Sequence, residues 1–126
     1  MIPAAYDFSK KMLAEHPDLS GFVCCNMSNP VGTAQAVIAA DKVDSVVIVG
    51  MDHHQEALRY LKKGVIYALG VQDCVSIGFD TIQTAIKIAD GLKPGTVYPE
   101  LKTEATTVIF QNDAAEMLQI LYGEID

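Results

Sequence analysis

The chain has 126 residues, half of them apolar and a fifth charged, a composition that builds one globular domain and is too short for two well-filled ones. Its net charge is −7, with 9 Lys and Arg against 16 Asp and Glu, and basic residues adjoin only at Lys10-Lys11 and Lys62-Lys63, which excludes a nucleic-acid surface on this segment. No apolar run approaches the roughly 20 residues of a membrane-spanning helix, and the opening "MIPAA" has neither the basic leader nor the apolar core of a secretory signal.

Taken in chain order, residues 6–16 predict an amphipathic helix, with Phe8, Met12 and Leu13 at helical spacing and Pro17-Asp18 as its stop. Residues 19–25 form a short apolar strand. Asn29-Pro30 opens a second helix over 30–40, with proline in the first turn. "VDSVVIVG", residues 43–50, is the clearest strand, β-branched and closed by Gly50. A helix over 54–63 ends at Gly64, and "VIYALGVQ", residues 65–72, is a third strand. Residues 74–92 predict a long helix ended by "GLKPG", and the irregular stretch "GLKPGTVYPELKTEA" follows. A fourth strand over 106–110 and a last helix over 114–122 complete the chain. Helix and strand alternate with short connections, and the strands read as apolar on both faces. The fold class expected is therefore α/β, a parallel sheet flanked by helices.

Three cysteines, Cys24, Cys25 and Cys74, leave one over in any disulfide scheme, and adjacent cysteines rarely bridge. No C-x-x-C or zinc spacing is present, so buried thiols acting as small hydrophobes are expected, with a lean toward a reducing compartment. The neighbours His53-His54 read as a solvated helix start. Asp73 reads as the cap of the long helix. No nucleophile elbow, Walker loop or G-x-G-x-x-G is found, and no base, nucleophile and oxyanion site assemble, so neither an enzyme nor a cofactor nor a metal is expected.

Parallel strands share one carboxyl edge, where open α/β sheets bind ligands. Reading each strand to its end places Asn26 after "FVCC", Asp52 after "VVIVGM" and Gln72 after "YALGV". A carboxylate accepts hydroxyl protons in a fork, and the two amides each offer a donor and an acceptor, so the set suits a neutral polyol better than an anion. Each has a structural alternative: Asn26 as a turn residue, Asp52 as the cap of the helix near His54, Gln72 with the weakest such excuse.

The motifs H-P-D (residues 16–18), Asn26 with Gly32 six positions on, V-G-x-D (49–52), G-x-I (64–66) and V-Q-D (71–73) resemble, in order and spacing, the last part of type I periplasmic sugar-binding proteins and of the effector domains of lac-repressor-type regulators. The likeness covers residues 6–112. It implies a partial lobe of that fold, with 1–73 as part of the distal lobe and 74–126 as crossover helix, strand and C-terminal helix. A full member is about twice this long. It also implies non-enzymatic capture of a small sugar in an interlobe cleft, with Asn26, Asp52 and Gln72 as hydrogen-bonding positions. Met27 stands where the family usually has Asp. Met51 stands where it often has an aromatic, and would wall the pocket with a thioether, leaving the sugar's identity open. As the binding component of an ABC-type importer the whole protein would work with a permease and lie outside the cytoplasm in the cell envelope, free or lipid-anchored. As a regulator it would be cytoplasmic. An isolated segment would expose an apolar sheet edge and self-associate.

Overall fold

The computed structural model describes residues 1–93 and 106–124. Helix α1 (Ile2–Glu15) leads into β1 (Gly21–Val23), α2 (Asn29–Ala39), β2 (Val47–Met51), α3 (Gln55–Lys62), β3 (Ala68–Gln72), α4 (Cys74–Ala89), β4 (Thr106–Ile109), a single 3₁₀ turn (Gln111–Asp113) and α5 (Ala114–Tyr122). The alternation predicted from the sequence is present throughout, and α5 has its predicted bounds. Much of the stretch predicted as irregular after α4 lies outside the described residues. Helix α1 starts four residues before its predicted start because Pro3 sits in its first turn, where a missing N–H costs nothing. The strands are shorter than predicted, β1 by the most.

β1, β2 and β3 pair in parallel, and the strand order is β1-β2-β3-β4. The register sets Gly21 against Val47, Val23 against Val49, and Val49 against Ala68. Two compact units divide the chain, one made of Met1–Val71 and Val108–Asp126, the other of Gln72–Thr107. In the first, Ile48, Leu58, Leu61, Ile66, Leu69 and Leu118 are fully enclosed, joined by Val31 and Val37 from α2. Ser9 and Thr33 are buried between α1 and α2 and satisfy each other, hydroxyl to hydroxyl at 2.9 Å.

The expectation that every strand is apolar and covered on both faces needs correcting. Ile48 and Gly50 of β2 face the core, whereas Val47, Val49 and the ladder partner Val23 are exposed. Only β3 is buried along nearly its whole length. The cysteine expectation is corrected as well. Cys24 is buried and its thiol donates to Thr33 Oγ1 at 3.5 Å, but Cys25 and Cys74 are exposed. Burial pushes the Cys24 thiol up from its ordinary range, against the opposing hydrogen bond to Thr33. Cys25 follows it along the chain, where the side chain turns to the other face, and Cys74 opens α4.

In the second unit, Asp73 caps α4 as its sequence position predicts. Its carboxylate accepts the Ser76 N–H at 3.0 Å and the Ser76 hydroxyl at 2.7 Å, and these bonds hold it below the usual carboxylate range. No residue of α4 is buried. Val75, Phe79, Ile82 and Ile86 recur at alternate steps of four and three along it and stand exposed.

Candidate functional site

Two candidate residues sit at the carboxyl ends of adjacent parallel strands in the first unit. The ladder continues one step beyond β1 through the Cys24 N–H to the Val49 carbonyl (2.8 Å), and one step beyond β2 through the Asp52 N–H to the Gly70 carbonyl (2.8 Å). Carried past the last β1–β2 pair, the same register offset sets Asn26 level with Asp52. The junctions that follow the two strands are also packed together. A Cβ on Gly50 would lie 2.5 Å from Pro30 Cγ and 2.9 Å from Leu69 Cδ2, so only glycine lets the first turn of α2 rest on β2. The glycine of the V-G-x-D motif thus keeps the loop of Asn26 close to the turn of Asp52.

Asn26 is exposed and does the turn work weighed for it from sequence. Its Oδ1 accepts the backbone N–H groups of Ser28 and Asn29, both at 3.0 Å, bridging β1 into α2. Those two donors fix which end of the amide is oxygen. Among the described residues nothing engages the nitrogen, so Asn26 can offer a ligand a donor while its acceptor is committed to the loop.

Asp52 is half-buried and takes a left-handed backbone conformation, φ 69°, which a non-glycine residue adopts at a cost. The capping role weighed for it falls to another residue. His54 is the cap of α3, its Nδ1 accepting the Glu56 N–H at 3.1 Å. Met51, the last residue of β2, is half-buried beside it. Gln72 ends β3, is exposed, and is the first residue of the second unit.

Sequence reasoning missed the groups around the Asp52 turn. Tyr122, the last residue of α5, donates its hydroxyl to the His53 carbonyl at 2.6 Å. Glu124 accepts from Arg59 through Nε (3.1 and 3.2 Å) and Nη2 (3.0 Å), and from Gln55 Nε2 (3.1 Å). Arg59 Nη1 also holds Glu56 at 2.7 Å. One sequence signal pointed this way, since Arg59 is the only arginine in the chain and guanidinium is the side chain suited to forked pairing with a carboxylate. These bonds hold Glu124 below the ordinary glutamate range and raise Arg59, the Arg59–Glu124 contact being the largest cause in both.

A cleft of about 310 Å³ lies between α1, β1 and α2, lined by Ala5, Phe8, Phe22, Cys24 and Thr33 among others. None of Asn26, Met51, Asp52 or Gln72 lines it. Among the described residues no group of three or more His, Cys, Asp or Glu is placed to hold a metal ion.

An α/β lobe whose candidate polar groups stand at the carboxyl ends of parallel strands has the arrangement at which open α/β sheets bind ligands. Residues 3–93 match the periplasmic binding protein domain, and the chain belongs to that family. It is similar to the D-ribose/D-allose-binding protein of Pseudomonas aeruginosa, 37% identical over 66% of this chain and 26% of that one. It is also similar to the D-allose-binding periplasmic protein of Escherichia coli, 32% identical over 75% of this chain and 30% of that one. In structure it is similar to GanP, a glucose-galactose binding protein from Geobacillus stearothermophilus, with a TM-score of 0.80 and 26% identity over 90% of this chain and 39% of that one. The chain therefore spans about a quarter to a third of the curated relatives it matches. These relatives are named as sugar-binding proteins.

Proposed function

We infer that this chain is the distal-lobe part and return crossover of a protein that captures a small sugar between two lobes without chemically changing it, as the binding component of an ABC-type importer. The observation that carries the reading is that Asn26 and Asp52 follow the ends of neighbouring parallel strands, one presenting an amide donor and the other a carboxylate acceptor. A vicinal diol needs that combination, because each hydroxyl both donates and accepts. Gln72 opens the crossover and adds a third hydrogen-bonding group, and Met51 walls the pocket. In this reading the family's second lobe closes over the sugar, a hinge motion driven by contacts that the ligand makes to both lobes. The exposed apolar stripe of α4 supports it, since such a stripe is the kind of surface another element covers. The protein then works outside the cytoplasm with a permease; one relative is named as periplasmic, and one similar structure as an ABC transporter solute binding protein. The exposed thiols Cys25 and Cys74 are the observation on the other side, favouring the reducing cytoplasm of a sugar-responsive regulator.

The test is calorimetric titration of the intact protein with D-ribose, D-allose, D-glucose and D-galactose, repeated for Asn26→Ala, Asp52→Asn and Gln72→Ala. Each substitution is expected to weaken the tightest sugar by about 10- to 100-fold, the effect of losing a hydrogen bond in which one partner is charged or buried. Residues 1–126 alone should bind weakly, since the other lobe's contacts are lacking. Undiminished affinity in all three variants, or no binding of any of the four sugars, overturns the reading.

A further inference from the structure

Asp52 is placed in a backbone conformation that an isolated chain avoids, so its surroundings must hold it there. On its N-terminal side the hold is the ladder bond from its own N–H to Gly70. On its C-terminal side, each of the next four residues is tied by a separate bond, and three of the four ties lead to the far end of the chain or to Arg59, which that end holds. The His53 carbonyl accepts from Tyr122, the His54 ring caps α3, the Gln55 amide reaches Glu124, and Glu56 pairs with Arg59. Gly123 makes this possible: its left-handed φ of 66° ends α5 and swings Glu124 back over Arg59. At the other end of α3, Gln111 donates to the Lys62 carbonyl at 3.0 Å, so the helix behind the turn is pinned at both termini by the same C-terminal segment.

We propose that Tyr122 and Glu124 are positioning residues for ligand binding, forming a clamp that holds the Asp52 turn in its left-handed, binding-competent conformation. This rests on the reading of Asp52 as a sugar-binding carboxylate. The clamp touches no ligand. It acts through the His53 carbonyl, one peptide unit from Asp52, and through α3, which that turn opens. Simple helix packing would be served by the apolar contacts of α5, such as Leu118 in the core, without a hydroxyl aimed at a loop carbonyl.

The experiment is a double-mutant cycle in the intact protein, titrated with whichever of D-ribose, D-allose, D-glucose and D-galactose binds best. Tyr122→Phe keeps the ring and removes the one bond. It is expected to weaken binding about three- to tenfold, the size of a single neutral hydrogen bond, and to speed amide exchange at residues 52–55 while leaving the core strands protected. Glu124→Gln should move both readouts the same way. In an Asp52→Gly background Tyr122→Phe should bring no further loss, because the carboxylate it positions is gone. If Asp52→Gly binds as well as the wild type, the sugar-site reading fails and the clamp with it. If Asp52→Gly weakens binding but Tyr122→Phe and Glu124→Gln bind like the wild type, the clamp alone is overturned. Additive losses overturn it too, since they place Tyr122 in a role independent of Asp52.

Discussion

Asp52 and Asn26 show two ways in which a residue with a local structural excuse can be assigned. For Asn26 the excuse holds: its oxygen is committed to the Ser28 and Asn29 amides, and only its nitrogen remains for a ligand. For Asp52 the capping excuse fails, because His54 caps α3. What remains is a carboxylate kept in a left-handed conformation that glycine would occupy without strain. Asp52→Gly is therefore expected to leave stability unchanged or raise it by up to about 1 kcal/mol, read from the urea midpoint, while sugar affinity in the intact protein falls by about 10- to 100-fold. A midpoint lowered by more than that would mean that the aspartate supports the fold. The strand-end positions of the two amides and the carboxylate were legible in the sequence because each follows an apolar run. Asn26's committed oxygen was not, since it depends on how the loop folds back on itself.

At the scale of elements, α3 is short and depends on partners. Its apolar face, Ala57, Leu58 and Leu61, is fully buried, and its last turn is braced by the pairing of Arg59 with Glu124, just beyond α5. The folded protein holds Glu124 below its ordinary range, chiefly through the Arg59 bonds, with Gln55 and the nearby Lys62 acting the same way. The carboxylate's contribution is thus complete above the unfolded glutamate value of about 4.3 and is lost as pH falls through the lower folded value. Thermal unfolding of the wild type and of Glu124→Gln should differ near neutral pH, and the gap should close on acidification below about pH 4. A gap that stays constant down to pH 3 would show that the pair contributes through something other than the carboxylate's charge. Both members of the pair are partly exposed to solvent, so added salt should narrow the gap as well.

At the scale of the whole molecule, nothing among the described residues covers one face of the β1–β2 pair. Val23, Val47 and Val49 are exposed together, and β1 is the end strand of the sheet. An unpaired apolar edge with an uncovered apolar face is a template for a second chain. Residues 1–126 by themselves are expected to form dimers or larger species at about 100 µM, seen by size exclusion with light scattering. Val23→Lys with Val47→Lys should return them to monomer. A wild-type segment that is monomeric at that concentration would sink the expectation. In the intact protein the same two substitutions should instead destabilise the lobe, if the rest of the family fold covers that face.

The sequence by itself determined what is local. The alternation of apolar runs with helical periodicity dictated a parallel α/β sheet, Asp73 announced its cap, α5 its bounds, and the strand ends their polar residues. Short-range spacing carries all of that, because helix and strand each repeat within a few residues. The tertiary structure alone decided which face of β2 is bare, why Gly50 must be glycine beneath Pro30, and that Tyr122 reaches His53 across 69 positions of chain. Contacts of that separation leave no periodic trace in a sequence. They exist only once α3, α5 and the sheet have packed, and that packing sets how firmly the Asp52 turn is held.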